Sequence, residues 1–175
     1  GEALGLAVDP ALHGDADNRR TARQGVLRTL QPRSDVALEQ PTDAVLRVLV
    51  ACVCGSDLWP YRGVQPINGP TPMGHEYCGI VEEVGPEVRT IRRGQFVVGS
   101  FATSDNTCPH CRHGYQSSCV QREFMSEAQA PLLRVPLADG TLVATNEVPS
   151  DDLLPSLLTT SDVLGTGWFA ADAAN

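Results

Sequence analysis

Gly74-His75-Glu76-Tyr77-Cys78-Gly79 is the stretch of this chain best equipped for chemistry. An imidazole and a carboxylate stand side by side between glycines, and both are zinc ligands. Adjacent glycine lets backbone and side chains crowd round an ion. On its own the triplet also fits a hairpin carrying an incidental histidine. Thiols are concentrated further on, where Cys108-Pro109-His110-Cys111 is followed after seven residues by Cys119. Such spacing suits a metal-binding loop, or a loop of free or oxidisable thiols.

The apolar runs that must position these residues are short and rich in β-branched residues. Ala44 to Ala51, Ile80 to Val84 and Phe96 to Gly99 read as strands. Leu132 to Pro136 and Thr141 to Ala144 flank Asp139-Gly140, the pattern of a hairpin. Asp57 to Tyr61 fits one helical turn, and Gly63 to Pro72 a loop by its Gly, Pro and Asn content. Thr103 to Cys119 is the cysteine-bearing loop. Ser150-Asp151-Asp152 resembles a helix start, which Pro155 interrupts or restarts. Thr166 is placed to cap a last helix through Ala171. Ala3 to Val8 suits a first strand, and the polar, mixed-charge text from His13 to Arg23 a loop or poorly ordered stretch. Many short strands and few helices predict a mainly β domain of barrel-like form.

Composition narrows the partners. The net charge of −8 argues against nucleic acid or an anionic membrane surface. No apolar run approaches the roughly 18 residues of a membrane span, and the N-terminus shows no secretory pattern. The six cysteines lie among other metal-ligand types, which favours reduced thiols and a cytoplasmic setting.

Cys54-Gly55-Ser56-Asp57 precedes the Gly-His-Glu stretch by some twenty residues, and the glycines at 79 and 85 complete a longer pattern. From Asp43 to Ala171 the chain resembles the zinc-containing medium-chain alcohol dehydrogenases. The resemblance implies a GroES-like, partly open β-barrel with a few short helices. It also implies a catalytic zinc held by Cys54, His75 and, before the Gly165-Thr166-Gly167 segment, Asp162. Glu76 would be an alternative ligand or a neighbour of the ligands. Ser56 would relay the substrate proton and Asp57 would hold the histidine ring. A structural zinc would take Asp105, Cys108, Cys111 and Cys119, with His110 or His113 as substitutes for the carboxylate. Trp59 and Phe101 are candidates for lining a substrate pocket, or for plain packing. Cys52 and Cys78 read as core residues.

The resemblance divides the chain into a divergent segment 1–41, of which Gly25 to Pro32 is the part most like the family. A GroES-like zinc-binding catalytic domain follows over 42–165, with a zinc lobe at 103–120. Residues 166–175 would begin the helix leading to a Rossmann domain. Gly165-Thr166-Gly167-Trp168-Phe169-Ala170 formally matches a dinucleotide fingerprint, but no convincing strand precedes it and the chain ends before an acidic ribose partner could appear. NAD(P) would therefore bind through a domain missing from this chain. The expected function is oxidation of a small alcohol to an aldehyde or ketone once that domain is joined. The chain alone, as a truncated form, would be inactive, needing a nucleotide-binding domain or protein partner. A different class stays open: a free-standing zinc-binding or interaction module, or a decayed fragment, without dehydrogenase activity. Left uncovered by a nucleotide-binding domain, Val163, Leu164, Trp168 and Phe169 would form an apolar patch inviting homo-oligomers or aggregation.

Overall fold

A computed structural model describes residues 36–68 and 71–174. The expected first strand at Ala3 to Val8, the polar stretch His13 to Arg23 and the segment Gly25 to Pro32 lie outside the described residues. Five strands form one antiparallel sheet: β1 (Ala44–Ala51), β2 (Tyr77–Val84), β3 (Phe96–Gly99), β4 (Leu132–Val135) and β5 (Leu142–Ala144). Their order is β4-β1-β2-β3-β5. The fold is mainly β with short helices, as the composition of the runs predicts.

The apolar runs are near-continuous because both faces of the central strands are covered. Tyr77 and Val81 of β2 join Leu46, Val97, Leu133, Val135 and Leu142 in the main core. Side chains on the two edge strands thus meet in one cluster, which is how the sheet curls. Cys78 and Phe96 face the other way, onto Leu154 and Leu158 of a short helix. Within β1 the inward residues are Ala44, Leu46 and Val48, whereas Val50 and Cys52 pack with the second cluster. A register shift against β2 between Val48 and Val50 accounts for the change of face. An extra residue in one strand reverses the period-two alternation beyond it.

Several elements differ from the sequence reading. β2 begins at Tyr77, directly after Glu76 and three residues before Ile80. Leu132–Val135 and Leu142–Ala144 do not form a hairpin. β4 pairs with β1 and β5 pairs with β3, on opposite edges of the sheet. Asp139-Gly140 sits inside a single helical turn, Ala138–Thr141, entered through Leu137 at φ 51°. Tertiary demands on the aspartate explain this. Its carboxylate accepts from the backbone N–H of Arg89 and of Thr90, each at 2.8 Å, and from Thr90 Oγ1 at 2.6 Å. Thr166 does not cap the last helix, which runs Val163–Ala173 with Asp162 at its N-cap position. The boundary expected at residue 166 therefore falls inside a helix. Pro155 restarts rather than breaks its segment, following a 3-10 turn Asp151–Leu153 near the start of the helix Leu154–Leu158, where proline's missing N–H costs nothing.

Asp139 carries an acid-side prediction. Partial burial alone would raise its pKa, but the donors of Thr90 and Arg89 outweigh that and hold it below the ordinary value. A depressed folded-state pKa contributes stability above the unfolded value, lost as pH falls through the folded one. Wild type is expected to lose this part of its stability from about pH 4 downward, while Asp139→Asn is less stable at neutral pH and lacks that acid component. Denaturant unfolding at neutral and acid pH measures the difference.

Candidate metal centres and their neighbours

The region of the first centre lies where β1 ends, β2 begins and the Thr159–Ser161 turn meets them. Cys54 follows β1 and stands at the start of a 3-10 turn Gly55–Asp57. His75 stands two residues before the first residue of β2, after Gly74 at φ 94°, a backbone conformation other residues rarely adopt. A Cβ at Gly74 would also meet the Gln129 backbone nitrogen at 2.8 Å. Glycine there lets the segment 73–74 pair with residues 128–129 through Ala128 N–H to Gly74 O at 2.9 Å and Gln129 N–H to Met73 O at 3.0 Å.

Asp162 is brought in from 87 residues beyond His75 by its neighbour, Ser161. The Ser161 hydroxyl is buried at the end of the β2–β3 ladder, between the paired residues Tyr77 and Gly99. It accepts from Tyr77 N–H at 3.2 Å and donates to Gly99 O at 2.5 Å. No sequence signal marked Ser161, because a serine before an aspartate is an ordinary helix terminus.

Cys54, His75, Glu76 and Asp162 each offer a ligand atom, and these atoms all lie within 4.8 Å of one another. Asp162 Oδ2 is 3.4 Å from His75 Nε2 and 3.7 Å from Cys54 Sγ. Asp57 Oδ1 is 3.4 Å from His75 Nδ1, while its Oδ2 accepts from Cys54 N–H at 2.9 Å. One carboxylate thus steadies two of the candidate ligands. A carboxylate at Nδ1 favours the tautomer that leaves the Nε2 lone pair facing Cys54 and Asp162. Ser56 Oγ is 3.5 Å from His75 Nε2. Sulfur, nitrogen and carboxylate oxygen are the donor types zinc accepts, so the set fits the metal.

Around this set, Glu76 is buried, and its Oε2 accepts from Cys52 Sγ at 2.8 Å. Burial first, then Glu76, pushes the Cys52 thiol up to about 12. Cys78 is core as expected, and Cys52 is half-buried. Phe101 stands edge-on to the His75 ring with centroids 6.2 Å apart, and stacks on Phe124 at 6.1 Å. Trp59 is 59% exposed and packs in no core cluster.

A second set lies in the cysteine loop. Asp105, Cys108, Cys111 and Cys119 also bring ligand atoms within 4.8 Å of one another. Cys108 begins a short helix, Pro109–Arg112, whose Cys111 N–H points at its sulfur. That N–H lowers the Cys108 pKa. Burial pushes Cys111 up to about 12, and the two sulfurs lie 3.5 Å apart. Asp105 accepts from Cys108 N–H at 3.0 Å and Thr107 N–H at 2.8 Å, which hold its carboxyl down at about 2. The Asp105 carboxylate lies beside the three thiols, and His113 turns its Nδ1 to Pro109 O at 2.7 Å. All six cysteines are free.

Comparison with known proteins identifies the family of the fold. The model of the alcohol dehydrogenase GroES-like domain matches residues 40–157. Zinc-type alcohol dehydrogenase B of Aspergillus flavus is 36% identical over 142 residues, 78% of this chain and 32% of that protein. A medium chain reductase/dehydrogenase of an Acremonium species is 35% identical over 148 residues, 81% of this chain and 50% of its own. Among solved structures, the alcohol dehydrogenase TADH from Thermus sp. ATN1 superposes with a TM-score of 0.71 at 31% identity, covering 79% of this chain and 42% of that one. The chain therefore spans 32% to 50% of the length of these relatives. With the family model matching most of its length, the chain belongs to the alcohol dehydrogenase GroES-like domain family.

Proposed function

We propose that this chain is the zinc-binding catalytic domain of an NAD(P)-dependent alcohol dehydrogenase, acting on a small alcohol or aldehyde together with a nucleotide-binding domain. The observation that carries the reading is the convergence of Cys54, His75, Glu76 and Asp162, drawn from separated segments. Cys54, His75 and Asp162 hold zinc, with Glu76 beside them. Asp105, Cys108, Cys111 and Cys119 hold a second, structural zinc. When bound, zinc supplies Lewis acidity at the alcohol oxygen, and NAD(P) supplies the hydride acceptor.

The chain's own residues do the rest. Asp57 keeps the His75 ring turned and the Cys54 backbone in place. Ser56 Oγ takes the hydroxyl proton of the substrate and passes it outward. The domain division stands on the same reading: catalytic domain over 42–165 with its lobe at 103–120, then a helix toward the nucleotide-binding part. On that helix Val163, Leu164, Trp168 and Phe169 are between 50% and 75% exposed, an apolar face for the nucleotide-binding domain to cover.

The test is zinc content of the chain, then NAD(P)-linked oxidation of short alcohols by the chain alone and joined to a relative's nucleotide-binding domain. Zinc without turnover is expected for the chain alone, and turnover for the joined protein. A chain that binds no zinc would overturn the reading. In the joined protein, Ser56→Ala is expected to lower kcat by about 10²–10⁴-fold with KM little changed, the range for a proton-transfer group.

A further inference from the structure

Glu76 faces two demands. A carboxylate oxygen lies within 4.8 Å of the ligand atoms of Cys54, His75 and Asp162, while Oε2 accepts a hydrogen bond from Cys52 Sγ at 2.8 Å. Catalytic zinc keeps three protein ligands and an open position, whereas a fourth protein ligand closes the site. Cys54, His75 and Asp162 supply three donors; Glu76 would make a fourth.

We infer that Cys52 is a positioning residue that holds Glu76 back from the metal and so keeps one coordination position open. This rests on the proposed reading of Cys54, His75 and Asp162 as zinc ligands. The thiol is well anchored for the task. Cys52 follows the register shift of β1, packs against the Cys78–Phe96 cluster, and its carbonyl accepts from Gln129 Nε2 at 3.4 Å. Glu76 is 3% exposed, so solvent does not readily replace the thiol as donor. A buried carboxylate stripped of its donor is costly to leave unpaired, and the adjacent cation is the partner within reach.

The test uses the full chain loaded with cobalt(II), whose visible d–d bands report ligand number, with imidazole as the added ligand. Only a centre with an open position responds, so the cysteine loop stays silent. Imidazole is expected to change the wild-type spectrum. Cys52→Ala should weaken the apparent imidazole affinity by about tenfold or more, as when Glu76 closes all but about a tenth of the sites. Cys52→Ser, which keeps a donor, should stay near wild type, and Cys52→Ala with Glu76→Gln should recover the response. Glu76→Gln alone should leave imidazole affinity unchanged; a rise would show Glu76 already bound to metal, and would overturn the inference even if Cys52→Ala failed to fold. An unaltered response in folded Cys52→Ala would overturn it too. Failure of the underlying reading looks different: wild type would take up no cobalt that depends on Cys54 and His75.

Discussion

Replacing Cys54 and His75 together by alanine is expected to lower the zinc content from about two to about one per chain. The two candidate ligand sets share no residue: one draws on positions 54, 75, 76 and 162, the other on 105, 108, 111 and 119. Removing the thiolate and the imidazole leaves two carboxylates, Glu76 and Asp162. Two hard oxygen donors without a nitrogen or sulfur are a poor zinc site. The cysteine loop keeps its donors, its helical turn Pro109–Arg112 and the hydrogen bonds that hold Asp105. Metal analysis by mass spectrometry after gel filtration reads the difference, with circular dichroism confirming the fold. One zinc in both proteins would assign all of the metal to the loop, and the catalytic reading of the first centre would fail.

Ser161→Ala is expected to destabilise the domain by about 2–6 kcal/mol and to weaken metal at the first centre by about 10–100-fold. The stability term follows from two buried groups losing one partner. Tyr77 N–H and Gly99 O sit on paired strand residues, and the Ser161 hydroxyl bridges them. Each stranded buried group costs about 1–3 kcal/mol. The metal term follows from position. Asp162 is the next residue, and the Ser161 hydroxyl ties this turn to β2 and β3. Urea unfolding measures the first effect, and competition with a chromophoric chelator the second. A loss of stability with metal affinity intact would mean the helix Val163–Ala173 alone places Asp162.

Much of this centre was legible in the sequence because its parts are local. Cys54, Ser56 and Asp57 fall within one turn, and His75 with Glu76 adjoins a strand whose apolar text announces it. The C-x-x-C with its third cysteine is local as well, and the structure brings Asp105 to it. What sequence could not reach was long-range. The Asp139-Gly140 dipeptide has hairpin chemistry, yet β4 and β5 take opposite edges because each pairs with a different strand and Asp139 is held by Thr90 and Arg89. Cys52 looked like a core thiol, and only the register shift in β1 aims it at Glu76. Ser161 carried no signal at all, since its partners lie at positions 77 and 99.

Residue types and short spacings therefore determined by themselves the mainly β class and the donor chemistry of His75, Glu76 and the three loop cysteines, while the family resemblance supplied Cys54, Asp105 and Asp162 as candidates. Tertiary structure decided which distant side chains meet: Asp162 beside His75, Ser161 across the strand ends, and Cys52 upon Glu76. The physical reason is that ligand spacing within a turn is set by local backbone geometry, whereas meetings across 24 to 108 residues depend on strand register and on buried polar groups finding partners.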